Sequence, residues 1–161
     1  MAKQIEVTVD STVILRPRFM VKHFVRFKCR IFLCEMRNYN KYEVWIKSHD
    51  LVKFIYTAVV PVLPISEQYE LTRQLKRAAY SVPFNIVEGS GRNSEKDFVH
   101  FLDISFGSIL EVEYCSLLMK DLSYFDSILY TTLNGKINHI KAMLIGLIKS
   151  IREPKDENPE N

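Results

Sequence analysis

The sequence predicts an all-α protein. It reads as an antiparallel, up-down-up-down four-helix bundle over residues 39–152, with an atypical N-terminal extension at 1–38 and a disordered acidic tail at 153–161. Three observations predict this. Apolar residues recur at steps of three and four in four long segments, the period of a helix with one buried face. The breaks between segments are short and carry proline, glycine or capping residues, so neighbouring helices run antiparallel. No unit of 20–50 residues repeats, which argues against a solenoid.

Residues 1–35 differ from the rest. Ile5–Val9 alternates like a short strand, and residues 21–31 alternate apolar with basic side chains. This stretch holds seven Lys/Arg against three Asp/Glu, a net of +4, whereas the whole chain is only +3. The remainder is therefore near neutral, and any anion site there must be a local patch. Three readings of the extension stay open: a basic arm for nucleic acid or an acidic surface, a pendant segment of marginal structure, or residues ahead of a true initiator at Met36.

The first helix is expected over Tyr42–Val60. Trp45, Val52, Ile55 and Val59 share a face, with Val44, Leu51, Phe54 and Ala58 beside it. Glu43 and Lys47 are placed to pair at i,i+4. Pro61-Val62-Leu63-Pro64 ends the helix, because a residue before proline is driven out of the α region. Ser66 is the expected N-cap of the second helix.

The second helix carries Leu71, Leu75, Ala78, Val82 and Ile86 on one face. Ala78, Ala79 and Ser81 are small enough to let a neighbour approach closely. Pro83 lies inside the pattern and should kink it. Gly89-Ser90-Gly91 should end it, since glycine reaches left-handed dihedrals at little cost. Asn85 and Glu88 are expected to satisfy backbone groups that Pro83 frees.

The third helix is expected over Ser94–Ser123, opening with Ser94 as N-cap and Asp97 in a capping-box-like start. Phe98, Phe101, Ser105, Ser108, Val112, Cys115, Met119 and Leu122 form a heptad-like seam. Leu102, Phe106, Ile109 and Leu110 add a second stripe, so this helix should touch more than one neighbour. The fourth helix, Ser127–Ile151, keeps 4-3-4-3-4 spacing through Leu133, Ile137, Ile140, Leu144, Leu147 and Ile151. Asn134-Gly135 is its weak point, where a bend or break is expected.

A longer pattern runs through these helices. LTxQLKRAAxSVPxNIxEGxGR over 71–92, then SxKDFxxFL, then GSxxExE ending at Glu113, resembles the bacterial four-helix-bundle family of 23S ribosomal RNA intervening-sequence proteins. The accessory variability proteins of diversity-generating retroelements resemble it too. The likeness covers about 39–151. It implies a bacterial, ribosome-linked setting and a ring-like homo-oligomer, commonly a pentamer. It also implies either an RNA or ribonucleoprotein partner or, from the retroelement branch, a reverse transcriptase. Phe84 and Val87 depart from the pattern but stay hydrophobic.

The candidate chemistry is sparse. Arg73, Lys76 and Arg77 stand at i, i+3 and i+4 and form the densest basic cluster, able to meet phosphates or an acidic partner. Arg92 and Lys96 extend it around the Gly89–Gly91 turn, and Lys141, Lys149 and Arg152 add a thinner stripe; the bland alternative for all of them is a solvated face. Asp97, His100 and Asp103 share a face, yet a metal bundle needs a second ligand set, so a solvated face is the reading and no metal or cofactor is expected. Glu111 and Glu113 point to different sides of one helix and do not converge for catalysis; a structural ion pair with Arg77 or Arg92 would explain them. Gly89-Ser90-Gly91-Arg92 lacks the G-x-x-x-x-G-K pattern and a preceding strand. Cys115 sits on the apolar seam as a packed thiol. Three cysteines without C-x-x-C spacing suit reduced thiols in a cytoplasm. No stretch approaches a membrane span or a signal peptide. The expectation is a non-enzymatic binding module with no catalytic residue.

Overall fold

The computed structural model describes residues 37–153. The expectations for the extension up to Met36, and for the tail beyond Glu153, lie outside the described residues. Within them the protein is all-helical, with four principal helices: α1 (Glu43–Phe54), α2 (Leu71–Ser90), α3 (Glu95–Asp121) and α4 (Ser127–Arg152). They pack as a square, α1 on α2 and α4, and α3 on α2 and α4. Cross-helix pairs fix the directions. Gln74 meets Glu111 while Val82 meets Ser105, and Glu113 meets Lys141 while Asp103 meets Arg152. Both pairs are antiparallel, as the short connections require.

One continuous core fills the square. Leu51, Ile55, Leu75, Ile86, Leu102, Ile109, Leu133, Ile137 and Leu144 are fully buried, and each such side chain contributes about 1.5–3 kcal/mol. Along α1 and the turn that follows it the inward stripe is Val44, Ser48, Leu51, Ile55 and Val59; Trp45 and Val52 only flank it. The stripe turns by one residue because Ser48 is buried, its hydroxyl donating to the Trp45 carbonyl at 2.8 Å. Trp45 instead stacks on His49 and meets the edge of Tyr39. Glu43 and Lys47 do not pair; Asp50 and Lys53 do, at 2.7 Å.

The end of α1 differs from expectation. Beyond Phe54 the chain widens into a π turn, Ile55–Val59, with the Val60 N–H bonded to the Ile55 carbonyl, then tightens into a 3-10 turn, Val60–Val62. Val60, just before Pro61, keeps right-handed helical dihedrals; Leu63, before Pro64, is the residue that turns extended. Pro61 fits because the first positions of a helical turn need no N–H. Ser66 lies in a separate 3-10 turn, Ile65–Glu67, so it does not cap α2, which starts at Leu71 without a side-chain cap.

α2 runs unbroken through Pro83 to Ser90, and Gly91 closes it in the right-handed region. None of the described glycines has a positive φ. The left-handed residue is Ser123 (φ 57°), at the end of α3, where the Tyr124 N–H bonds back to the Met119 carbonyl in a Schellman-type closure. Asn85 and Glu88 do not serve Pro83: the Asn85 amide donates to Ser81, and Glu88 pairs with Arg92. Ser94 caps α3 as its position predicts, accepting from the Asp97 N–H at 3.0 Å. Asp126 caps α4, accepting from the Leu129 N–H at 2.7 Å. α4 passes Asn134-Gly135 without a break. No described helix is long and apolar enough to cross a membrane.

Candidate nucleic-acid interface

The outer side of α2 follows from its inner side. Thr72, Leu75, Ala78, Ala79, Val82, Pro83, Ile86 and Gly89 are buried, so the residues between them face outward at helical spacing. Arg73 and Arg77 are exposed, and Lys76 is half-buried with its ammonium 5.1 Å from the Tyr56 ring centroid. Among the described residues none of the three forms an ion pair. The structure therefore brings Arg73, Lys76 and Arg77 together on one accessible face, as their spacing predicts.

Most of the other candidate cations are engaged. Arg92 pairs with Glu88 and lies over the Phe101 ring, 4.6 Å from its centroid. Lys141 pairs with Glu113 at 2.7 Å, and Arg152 with Asp103 at 2.5 Å. Lys96 is exposed at the start of α3. Arg77 lies thirteen positions before the end of α2 at Ser90, about 20 Å along the axis, and Arg92 follows that end. Arg92 and Lys96 thus sit at the far end of α2 and do not extend the Arg73/Lys76/Arg77 cluster.

The remaining candidates resolve into structural roles. Glu111 accepts from the Gln74 amide at 3.0 Å, and Glu113 faces α4, so neither pairs with Arg77 or Arg92. Asp97 accepts from the Ser94 hydroxyl at 2.6 Å, and Asp103 serves Arg152. Among the described residues no cluster of three His, Cys, Asp or Glu side chains is placed to hold a metal. Cys115 is buried, and burial pushes its thiol pKa up, away from a reactive thiolate.

The Gly89–Gly91 segment has a packing role. A Cβ on Gly89 would stand 2.7 Å from the Phe101 Cβ and 3.0 Å from Phe98 Cδ2. At Gly89, α2 lies too near α3 to admit a side chain, and Pro83 is buried within the same helix.

Two groups of residues are not evident from the sequence pattern. One is a hydrogen-bonded relay across α2 and α3. The Asn85 amide donates to the Ser81 hydroxyl (3.0 Å), Ser81 and Ser108 share a bond (2.8 Å), and Ser108 donates to the Ile104 carbonyl (3.0 Å). The amide can only donate and the carbonyl only accept, so the Ser81 proton goes to Ser108. The other group is Tyr80 and Phe84, exposed beside the arginines. Their helical spacing from Arg73 and Arg77 is the signal that could have found them.

Comparison with known proteins agrees with this architecture. None of the curated proteins compared matches the chain. A solved structure from Bacteroides thetaiotaomicron VPI-5482, a protein of unknown function from the S23 ribosomal protein family, superposes with a TM-score of 0.61. It is 25% identical, and the match covers 66% of this chain and 98% of that one. The model of the 23S rRNA-intervening sequence protein family matches residues 40–146. A match over so much of the chain, on a bundle of the same fold, makes this protein a member of the 23S rRNA-intervening sequence protein family.

Proposed function

We propose that the protein is a non-enzymatic RNA-binding module that contacts structured RNA, or a ribonucleoprotein, through the Arg73/Lys76/Arg77 face of α2. One observation carries this reading. Arg92, Lys141 and Arg152 are held by carboxylates, and Lys96 and Lys149 are exposed singly on α3 and α4, whereas Arg73 and Arg77 are exposed together with half-buried Lys76 beside them and no carboxylate partner among the described residues. A patch of unneutralised cations on a rigid helix suits a phosphate backbone, which positions a protein without asking for sequence.

Self-assembly belongs to the same reading. Ile104, Leu110, Tyr114 and Leu117 leave apolar surface exposed along α3, with Tyr114 65% exposed. Association of copies through this helix would cover it. A ring, a pentamer as the family resemblance implies, would then repeat the basic patch, and repeated weak contacts bind far more tightly than one.

The test is light scattering of the full chain followed by RNA binding across a salt series. The expected result is a discrete oligomer whose log affinity falls with log salt at about 0.7–0.9 per phosphate neutralised. Arg73→Ala/Lys76→Ala/Arg77→Ala should flatten that slope. Salt-independent binding would sink the reading. A discrete oligomer without RNA affinity would instead favour docking of a partner protein such as a reverse transcriptase.

A further inference from the structure

The exposed face that carries the basic patch continues past Arg77. Arg73, Arg77, Tyr80 and Phe84 stand at i, i+4, i+7 and i+11, which places them on one stripe of α2. The stripe lies opposite the buried positions Leu75, Val82 and Ile86. Tyr80 is 38% exposed and Phe84 64%. Their ring centroids lie 5.6 Å apart, with the planes inclined at 58°. A tilted pair leaves no parallel slot between the rings, so a flat ligand would lie on an outer ring face, above all that of Phe84. The stripe runs about 16 Å from Arg73 to Phe84, cations at one end and aromatics at the other. Glu88, one turn further on, has its charge met by Arg92.

This arrangement asks for more than a phosphate backbone. Cations alone suffice for a duplex, whose bases are already stacked on their neighbours and whose deep major groove excludes side chains. Exposed aromatic faces beside cations suit unpaired bases, which stack on a ring while their phosphates stay in reach of arginine. We propose that the Arg73–Arg77–Tyr80–Phe84 stripe binds an unpaired segment of RNA, the arginines holding its phosphates and the two rings stacking on its bases. This rests on the RNA-binding reading above and narrows it to loops, bulges or single strands.

The test compares two probes on the full chain: an unpaired, single-stranded oligoadenylate and a blunt RNA duplex of matched length. Tyr80→Ala/Phe84→Ala should weaken oligoadenylate binding by about ten- to a hundredfold for each base stack that is lost. It should leave duplex binding and the salt slope unchanged. Arg73→Ala/Arg77→Ala should weaken both probes and lower the slope. Phe84 is 64% exposed, so Phe84→Ala alone, measured alongside, should leave the thermal midpoint in place. If the aromatic variant loses affinity for both probes alike, or for neither, stacking is overturned while RNA binding stands. Wild-type affinity in Phe84→Leu would also overturn it, in favour of plain apolar contact of the sort an acidic protein partner makes. If the unaltered chain binds neither probe, the RNA reading itself fails and this inference with it.

Discussion

The α2–α3 seam and the length of α4 are built on different terms, and their glycines show it. At the seam the contacts include small and hydroxyl-bearing residues: Ser81 meets Ser108, Ser105 reaches the α2 backbone, and Gly89 lies against Phe98 and Phe101. The Ser105 hydroxyl donates to the Val82 carbonyl at 2.9 Å, fully buried. Backbones this close leave no space for a methyl group at Gly89. α4 packs through Leu133, Ile137, Ile140 and Leu144, all aliphatic and all fully buried. A Cβ added at its Gly135 or Gly146 would meet nothing within 4 Å. One glycine is a condition of the packing; the others are gaps in helix propensity.

The largest expected effect follows at the seam. Gly89→Ala sets a Cβ against the Phe101 Cβ, an atom fixed to its backbone that cannot swing aside. Overpacking of this sort costs about 1–3 kcal/mol, and the gain in helix propensity, about 1 kcal/mol, offsets only part of it. A urea melt should show a net loss of about 1–2 kcal/mol. Parent-like stability would mean that the two helices do not approach as described.

The opposite sign is expected on α4. Gly135→Ala removes backbone freedom from the unfolded chain and meets no atom in the folded one. It should raise stability by about 1 kcal/mol in the same melt. A loss there would show that this surface of α4 is covered in solution, for instance by a second copy of the chain.

Much of this is legible in the sequence, for identifiable reasons. Apolar periodicity locates all four helices, because burial of one face at a period of 3.6 is a local signal. Ser94 is legible as a cap because its partner, Asp97, is three residues away. The route into Pro61 is not, since a π turn carries no local mark. Gly89 sends an ambiguous signal: a helix end and a close crossing both call for glycine, and only the neighbouring helix decides between them. Charge is visible, but pairing is not. Lys141 and Glu113 are 28 positions apart, and nothing local announces that α3 and α4 bring them together. Tyr80 and Phe84 become legible once the buried face of α2 is fixed, since their spacing sets them on the opposite side with Arg73 and Arg77.

The smallest effect separates the two regions by pH. The α2–α3 relay is made of hydroxyls and an amide, none of which titrates. The turn between α3 and α4 is held differently: the Tyr124 hydroxyl donates to the Glu67 carboxylate at 2.9 Å, tying it to the 3-10 turn before α2. That bond is the main reason the Tyr124 pKa is raised above its usual value near 10.0, with desolvation and the Glu67 charge adding to it. A raised folded-state pKa contributes stability that is fully present below the unfolded value and is lost as pH climbs through the folded one. Wild type should therefore lose stability above about pH 10 more steeply than Tyr124→Phe. Cys115, also shifted upward by burial, is present in both proteins and cancels in the difference. Ser81→Ala, by contrast, should change stability by an amount that does not vary with pH. Parallel pH profiles for wild type and Tyr124→Phe would show that the turn is not held through the phenol, and that the two regions do not differ in this respect.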